Sequence, residues 1–434
     1  MKLTTWLLKK ALTPLIRRGA LELVAPSGER LHFGSGEEPI VVRLTDKRAI
    51  LALLLDPDMK TGELFTDGRL VMERGSIYDF LSLILDNDGE ENPSPIVRAI
   101  DRARTATQLW RQRNDPGRSR RNVSHHYDLG DELYALFLDP DWQYSCAYFE
   151  HPGQSLADAQ LAKKRHIAAK LVLEPHHRVL DVGCGWGGLA LYLTEVADVA
   201  EVLGVTLSQE QIARAQQRAK GAGLADRARF ALMDYRAVKE RFDRIVSVGM
   251  FEHVGLRNYE TFFQTCRERL TDDGVMLLHT IGCSDEPSVT NPWITKYIFP
   301  GGHLPSLSDM IKVVEQAGLV VTDIEVLRLH YAETLRAWRM AFMARREAAV
   351  AMFDERFCRM WEYYLAMSET AFRYEEVVVF QLQIARRQES VPLTRDYITA
   401  TEIKLRSREA HGATARTSSH LENHYGADVR TPAP

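Results

Sequence analysis

The run Val179-Leu-Asp-Val-Gly-Cys-Gly-Trp-Gly-Gly-Leu-Ala-Leu191 decides how the rest of the chain is read. An apolar strand meets Asp181, four glycines follow (Gly183, Gly185, Gly187, Gly188), and a helix begins at once. Glycine permits the tight turn and lets a ligand approach the backbone closely. A lone Gly-x-Gly would be weak evidence, because NAD and flavin enzymes use similar loops. Here the Asp-x-Gly-x-Gly-x-Gly-Gly pattern sits between a strand and a helix, and that context points to a ligand loop.

Outward from this run, apolar stretches suited to buried strands recur at Arg178–Val182, Ala200–Val205, Ala228–Met233, Arg244–Val248 and Val275–His279, alternating with helical segments. That alternation predicts an α/β domain with a doubly wound parallel sheet over residues 123–400. Leu319–His330 and Glu376–Ala385 are expected to form an antiparallel edge hairpin. Residues 1–90 read as a small α+β domain. It opens on a basic amphipathic helix, with Leu3, Trp6, Leu7, Leu8, Leu12, Leu15 and Ile16 beside Lys9, Lys10, Arg17 and Arg18. Strand-like runs Leu21–Val24 and Ile40–Leu44, a helix Lys47–Leu55, a turn at Asp67-Gly68 and a helix Ser76–Leu85 follow. Asp86–Pro95 has linker composition. Within the basic segment 91–122, Arg98–Arg121 sets eight arginines against Asp101 and Asp115. Such a run is commonly a solvated helix face; its functional reading is attraction to anionic lipid head groups. The polar tail, residues 401–434, is expected to be disordered.

The 434 residues are 45% hydrophobic and 26% charged, ordinary for a globular protein of two or three domains. A net charge of −4 argues against general nucleic-acid binding. The cysteines (Cys146, Cys184, Cys266, Cys283, Cys358) are scattered, without a CxxC pair or clustered histidines. Free thiols in a cytosolic protein are therefore expected, and no metal site. No run approaches the roughly 18–20 apolar residues of a membrane span. Lys9 and Lys10 interrupt the first apolar run, and no cleavage site follows, so it is not read as a signal peptide.

The glycine pattern resembles motif I of the class I S-adenosylmethionine methyltransferases, with their Rossmann-like sheet. Such enzymes commonly place an acid after the second strand to hold the ribose; this chain has Thr206, with Gln211 nearby. Asp234 follows the third strand, where an acid can accept a hydrogen bond from the adenine amino group.

Further runs carry a more specific resemblance: Asn122-Val-Ser-His-His-Tyr-Asp-Leu-Gly, Tyr144-Ser-Cys-Ala-Tyr-Phe149, Gly204-Val-Thr-Leu-Ser208, Met250-Phe-Glu-His-Val-Gly255, Leu278-His-Thr-Ile-Gly282, Tyr297-Ile-Phe-Pro-Gly-Gly and His330-Tyr-Ala-Glu-Thr-Leu-Arg-Ala-Trp338. Together they resemble the cyclopropane-fatty-acyl-phospholipid synthases across residues 120–390. The first 90 residues look like the N-terminal domain of the phospholipid-acting members, which the mycolic-acid-modifying relatives lack. The resemblance implies an enzyme that transfers a methylene from S-adenosylmethionine to a cis double bond of a phospholipid acyl chain. A bound bicarbonate would serve as the base. It implies Tyr144, Ser145, Asp181, Gly183, Gly185, Gly187, Thr206, Gln211 and Asp234 as cofactor contacts. Cys146, Glu252, His279, Ile281 and Tyr331 would surround the bicarbonate, Cys146 and Ile281 mainly through their backbones. Glu252 would hold the bicarbonate hydroxyl, while His279 and Tyr331 donate hydrogen bonds. Some members carry a cysteine where this chain has Ser368; alkene methylation needs no covalent enzyme intermediate. The implied partner is phospholipid at the inner membrane surface, with a homodimer left open.

Rival readings are a methyltransferase leaving a branched or methylene product on the same alkene, a small-molecule methyltransferase, and a lipid-binding scaffold with a vestigial loop. The intact glycine loop with Glu252, His279 and Tyr331 argues against the scaffold.

Overall fold

The computed structural model describes residues 2–87, 130–284 and 291–425, with side chains omitted for 2–5 and 412–425. The basic run Arg98–Arg121, the linker beyond residue 87 and the Asn122–Leu129 part of the first family run lie outside the described residues.

The N-terminal unit is a four-stranded sheet of β1 (Ala20–Val24), β2 (Arg30–Gly34), β3 (Ile40–Leu44) and β4 (Leu70–Arg74), in order β2-β1-β3-β4. Strand β1 pairs parallel to β3, and the other pairings are antiparallel. The helix Lys47–Leu55 starts at Asp46, whose side chain accepts from the backbone N–H groups of Arg48 and Ala49. The next helix, Pro57–Thr66, opens with proline at its first position under an Asp56 cap. Its Gly62 faces Trp293 and Tyr363, and a Cβ there would lie 2.5 Å from the Tyr363 ring. Glu63 beside it accepts hydrogen bonds from Lys296 (2.7 Å) and the Tyr297 hydroxyl (2.9 Å). The N-terminal unit thus shares one apolar core with the helices around Trp293, Trp338 and Trp361.

The larger sheet has seven strands: β5 (Arg178–Val182), β6 (Glu201–Thr206), β7 (Ala228–Leu232), β8 (Phe242–Val248), β9 (Leu270–Cys283), β10 (Val320–Val326) and β11 (Val377–Ala385). Their order is β10-β11-β9-β8-β5-β6-β7. Strands β5 to β9 run parallel, whereas β11 lies antiparallel between β9 and β10. The expected antiparallel pair therefore forms, but it is not a hairpin, because three helices lie between the strands, and β11 is interior while β10 is at the edge. The alternation of the strands covers both faces. Leu180, Leu203, Ile245 and Met276 pack on one side, and Val179, Val202, Val246 and Leu277 on the other. Each such aliphatic burial contributes roughly 1.5–3 kcal/mol.

The disordered tail expected from residue 401 is not what forms over the described part. Asp396–Tyr425 is a helix, lying against the helix Leu156–Lys170. Leu405 is buried in the core under the sheet. Glu409 accepts from Arg165 Nη2 (2.7 Å) and the Tyr192 hydroxyl (2.6 Å), and Glu402 meets His166 Nδ1 at 2.6 Å. Glu402 and Glu409 are partners for buried polar groups, so the low apolar content of this part of the helix did not signal disorder.

Candidate active site

The order in which the parallel strands are laid down reverses at β5: β6 and β7 extend to one side, β8 and β9 to the other. Ligands of open α/β sheets bind at such a switch point, beyond the carboxyl ends of the strands. A cavity lies there, lined by Gly183, Gly185, Thr206, Gln211, Asp234 and Gly249 among others. A second cavity adjoins it, between the end of β9 and the helices His330–Ala344 and Glu355–Tyr374. Tyr144, Ser145, Gly249 and His253 line both, so the two spaces meet at these residues.

In the first cavity the glycine loop is left-handed at Gly183 (φ 85°), Gly185 (φ 53°) and Gly187 (φ 80°). Gly187 is below the wall rather than in it: a Cβ there would come within 2.8 Å of Phe230 and 3.0 Å of Ala215. Asp181, next to last in β5, is buried, with Oδ2 lacking a hydrogen-bond partner. Burial pushes its carboxyl up to about 7 against the opposing charge of Lys163. Thr206 Oγ1 donates to Gln211 Oε1 at 2.8 Å, which leaves the Gln211 amide nitrogen as that side chain's donor. Asp234 lines the cavity, yet its carboxylate already accepts from Arg236 Nε (2.8 Å) and Nη2 (2.6 Å). Those contacts, against the upward push of burial, hold its pKa below the ordinary value.

Sequence reasoning missed Lys163. It stands in Ala162-Lys-Lys-Arg165, which reads as a solvated helix face, yet its side chain is buried. Its Nζ donates to Gln143 Oε1 (2.6 Å) and Ser145 Oγ (2.8 Å), fixing the segment that joins the cavities. Burial pulls its pKa down to about 8, with Asp139 opposing.

All five residues inferred for the anion, Cys146, Glu252, His279, Ile281 and Tyr331, line the second cavity. Glu252 Oε1 accepts the Ile281 backbone N–H at 2.6 Å, while Oε2 is buried without a partner. The Ile281 N–H therefore orients Glu252. Burial pushes the Glu252 carboxyl up to about 7, against that N–H, so it can change protonation near neutrality. His279 is buried, with Nδ1 3.1 Å from Gln381 Nε2 and with Nε2 lacking a partner. Burial and the nearby Lys163 and Lys170 hold it well below the ordinary histidine pKa, hence neutral. Tyr331 packs against Trp338 and Phe372, at centroid distances of 5.8 and 4.8 Å. Burial pushes the Cys146 thiol up, so it supplies no thiolate at neutral pH. Ser368 is in the wall, whereas Cys358 is not. The orphaned acceptor of Glu252 and orphaned nitrogen of His279 suit a small anion carrying one hydroxyl.

Comparison with known proteins bears directly on this arrangement. The model of the family described as mycolic acid cyclopropane synthetase matches residues 114–382. The cyclopropane-fatty-acyl-phospholipid synthase of Escherichia coli K12 is 38% identical over 373 residues, covering 86% of this chain and 94% of the relative. The tuberculostearic acid methyltransferase UfaA1 of Mycobacterium tuberculosis is 40% identical over 282 residues, covering 62% of this chain and 65% of the relative. Among solved structures, mycolic acid cyclopropane synthase CmaA1 complexed with SAH and CTAB superposes with a TM-score of 0.58 at 38% identity. It covers 61% of this chain and 98% of that one. With the class I sheet, the glycine loop and these matches together, the chain belongs to the mycolic acid cyclopropane synthetase family of S-adenosylmethionine-dependent methyltransferases.

Proposed function

We propose that the protein forms cyclopropane rings at cis double bonds of phospholipid acyl chains, with bicarbonate as the base. The observation that carries this reading is the meeting of the two cavities. One holds the glycine loop; the other presents unpartnered Glu252 Oε2 and His279 Nε2 among apolar walls. When bound, S-adenosylmethionine would supply an electrophilic sulfonium methyl and bicarbonate a base for the proton lost on ring closure. The chain's own residues position and shield. Tyr144 and Ser145 stand where alkene and methyl would meet, and Lys163 holds Ser145 in place. Glu252 Oε2 can accept the anion's hydroxyl, while His279 and Tyr331 can donate to its oxygens. Ile294, Phe299, Leu304, Leu335, Met367 and Phe372 form apolar walls that keep water from a developing cation.

Phospholipid as substrate is supported by the N-terminal unit. The bacterial phospholipid enzyme aligns over 86% of this chain, whereas the mycolic acid enzyme covers 61%. The match to the relative named as a tuberculostearic acid methyltransferase favours one second reading, a branched methyl product from the same alkene. Expression in a host that lacks cyclopropane lipids, followed by lipid mass spectrometry, separates them. The expected product adds CH2 to monounsaturated chains with loss of the olefin. A saturated branched chain as sole product overturns the ring-forming reading.

Access to acyl chains requires approach to a bilayer, and among the described residues no helix is long and apolar enough to cross one. The N-terminal helix Lys2–Leu15 places Leu8 in the protein's own core and packs Leu12 and Leu15 against it. Trp6, Lys9 and Lys10 are left outward, as are Arg17 and Arg18 just beyond it. With Arg98–Arg121 these cations would draw the enzyme to anionic lipid, each worth about 1 kcal/mol near the surface. Co-sedimentation with phosphatidylglycerol-containing vesicles is therefore expected to weaken as salt rises, since exposed charges are screened beyond about 10 Å at 0.1 M. Equal binding to neutral vesicles would exclude this electrostatic attraction.

A further inference from the structure

We infer that Gln381 is a positioning residue that fixes the tautomer of His279, so that the imidazole presents Nε2–H to the second cavity. The inference rests on the anion reading of that cavity. Gln381 on β11 stands directly opposite His279 on β9, and both side chains are buried. The orientation of the Gln381 amide follows from its other neighbour. Lys170 Nζ lies 2.8 Å from Gln381 Oε1, and an ammonium can only donate, so the oxygen faces Lys170. Glu325 in turn contacts the Lys170 ammonium, holding it in place. The NH2 end of the amide must then face His279, 3.1 Å from Nδ1. An amide nitrogen donates and does not accept, so Nδ1 must offer a lone pair. A neutral imidazole with an unprotonated Nδ1 carries its proton on Nε2.

The consequence lies in the cavity. Nε2 is the His279 atom without a protein partner, and the ring lines the same space as the unpartnered Glu252 Oε2. The site so built offers one fixed donor and one acceptor. Bicarbonate needs both, since it carries one O–H and several acceptor lone pairs. The opposite tautomer would present a second acceptor beside Glu252 Oε2, and bicarbonate has only one O–H to give.

The test reads the ring nitrogens directly, by long-range proton–nitrogen NMR correlation on the full chain labelled with nitrogen-15 histidine, without added ligand. His279→Gln identifies the resonances by their loss. In the wild type, Nε2 is expected to be pyrrole-type (protonated) and Nδ1 pyridine-type. Gln381→Glu replaces the donor facing Nδ1 by an acceptor, so Nδ1 is expected to become protonated. Gln381→Met removes the preference and is expected to move both nitrogens toward intermediate shifts. In both variants kcat should fall roughly 10–100-fold, as when the outer partner of a ligating histidine is lost. The KM for S-adenosylmethionine should stay near wild type, and more bicarbonate should be needed for half-maximal rate. A protonated Nδ1 in the wild type overturns the inference, and that spectrum decides even where a variant folds poorly. An Nδ1 still pyridine-type in folded Gln381→Glu overturns it too. A tautomer that changes as expected while the bicarbonate requirement stays put upholds the role of Gln381 and overturns the anion reading of the cavity instead.

Discussion

Glu252→Gln is expected to lower cyclopropane formation by roughly 10²–10⁴-fold, the usual worth of a positioned acid or base group. The wild-type contacts show why so small a change should matter so much. Glu252 Oε1 takes the Ile281 N–H at 2.6 Å, and a glutamine can keep that contact through its own Oε1. The amide nitrogen then falls where Oε2 stood, so a donor replaces an unpartnered acceptor facing the cavity. The backbone of β9 stays anchored, and the anion's hydroxyl loses its acceptor. Tyr331→Phe is the companion change. It removes the phenol while leaving the ring against Trp338 and Phe372, and a loss in the same range is expected. S-adenosylmethionine affinity, measured by calorimetry, should change little in either variant, because both residues line only the second cavity. Adding bicarbonate to a depleted preparation should restore the wild type and rescue the variants poorly. Full activity in both would mean that the base is held elsewhere.

How much of this site was legible in the sequence depends on where each residue's partners lie. The glycine loop and strand β5 are specified locally, by five strand residues and the glycines after them, and they fall where the pattern puts them. The helix Lys47–Leu55 likewise matches its predicted span, because its Asp46 cap is adjacent in sequence. Lys163 was not legible: its partners Gln143 and Ser145 lie 20 and 18 residues away, on a segment without regular structure. The helix Leu156–Lys170 is polar in composition, yet buried nearly all round. Lys170 meets Glu325, 155 residues distant, and Arg165 meets Glu409, 244 residues distant. Periodicity cannot reveal a polar helix whose counter-charges are supplied by other elements. The same pairing explains why the segment from residue 401 read as a disordered tail. Asp234 does follow β7, but the neighbour two residues on, Arg236, already occupies its carboxylate. A helix such as Pro57–Thr66 was missed for a different reason. Its Gly62 is pressed against Trp293 and Tyr363 while Leu64 and Phe65 enter the shared core, and only tertiary packing makes that glycine necessary.

The glycine loop yields the second large effect, because its members differ in what lies around them. At Gly185 a Cβ would meet no protein atom within 4 Å, and the residue lines the first cavity. At Gly187 a Cβ would press on Phe230 and Ala215, beneath the loop. Both backbones are left-handed, so any L side chain there carries a strain of roughly 1–2 kcal/mol. Gly185→Val should therefore keep its fold with a modest fall in Tm, while its branched side chain fills space that the cofactor would occupy. Affinity for S-adenosylmethionine and S-adenosylhomocysteine is expected to drop by about 100-fold or more, which corresponds to at least about 2.7 kcal/mol. Gly187→Val adds overpacking to the same strain, a further 1–3 kcal/mol or so, and its main symptom should be lost stability. Calorimetric titration and thermal unfolding on the two variants separate these outcomes. Near-normal affinity in Gly185→Val would show that the cofactor does not approach this part of the loop. The cavity beyond β5 would then have to be assigned to something other than S-adenosylmethionine, however well the family's glycine pattern is preserved.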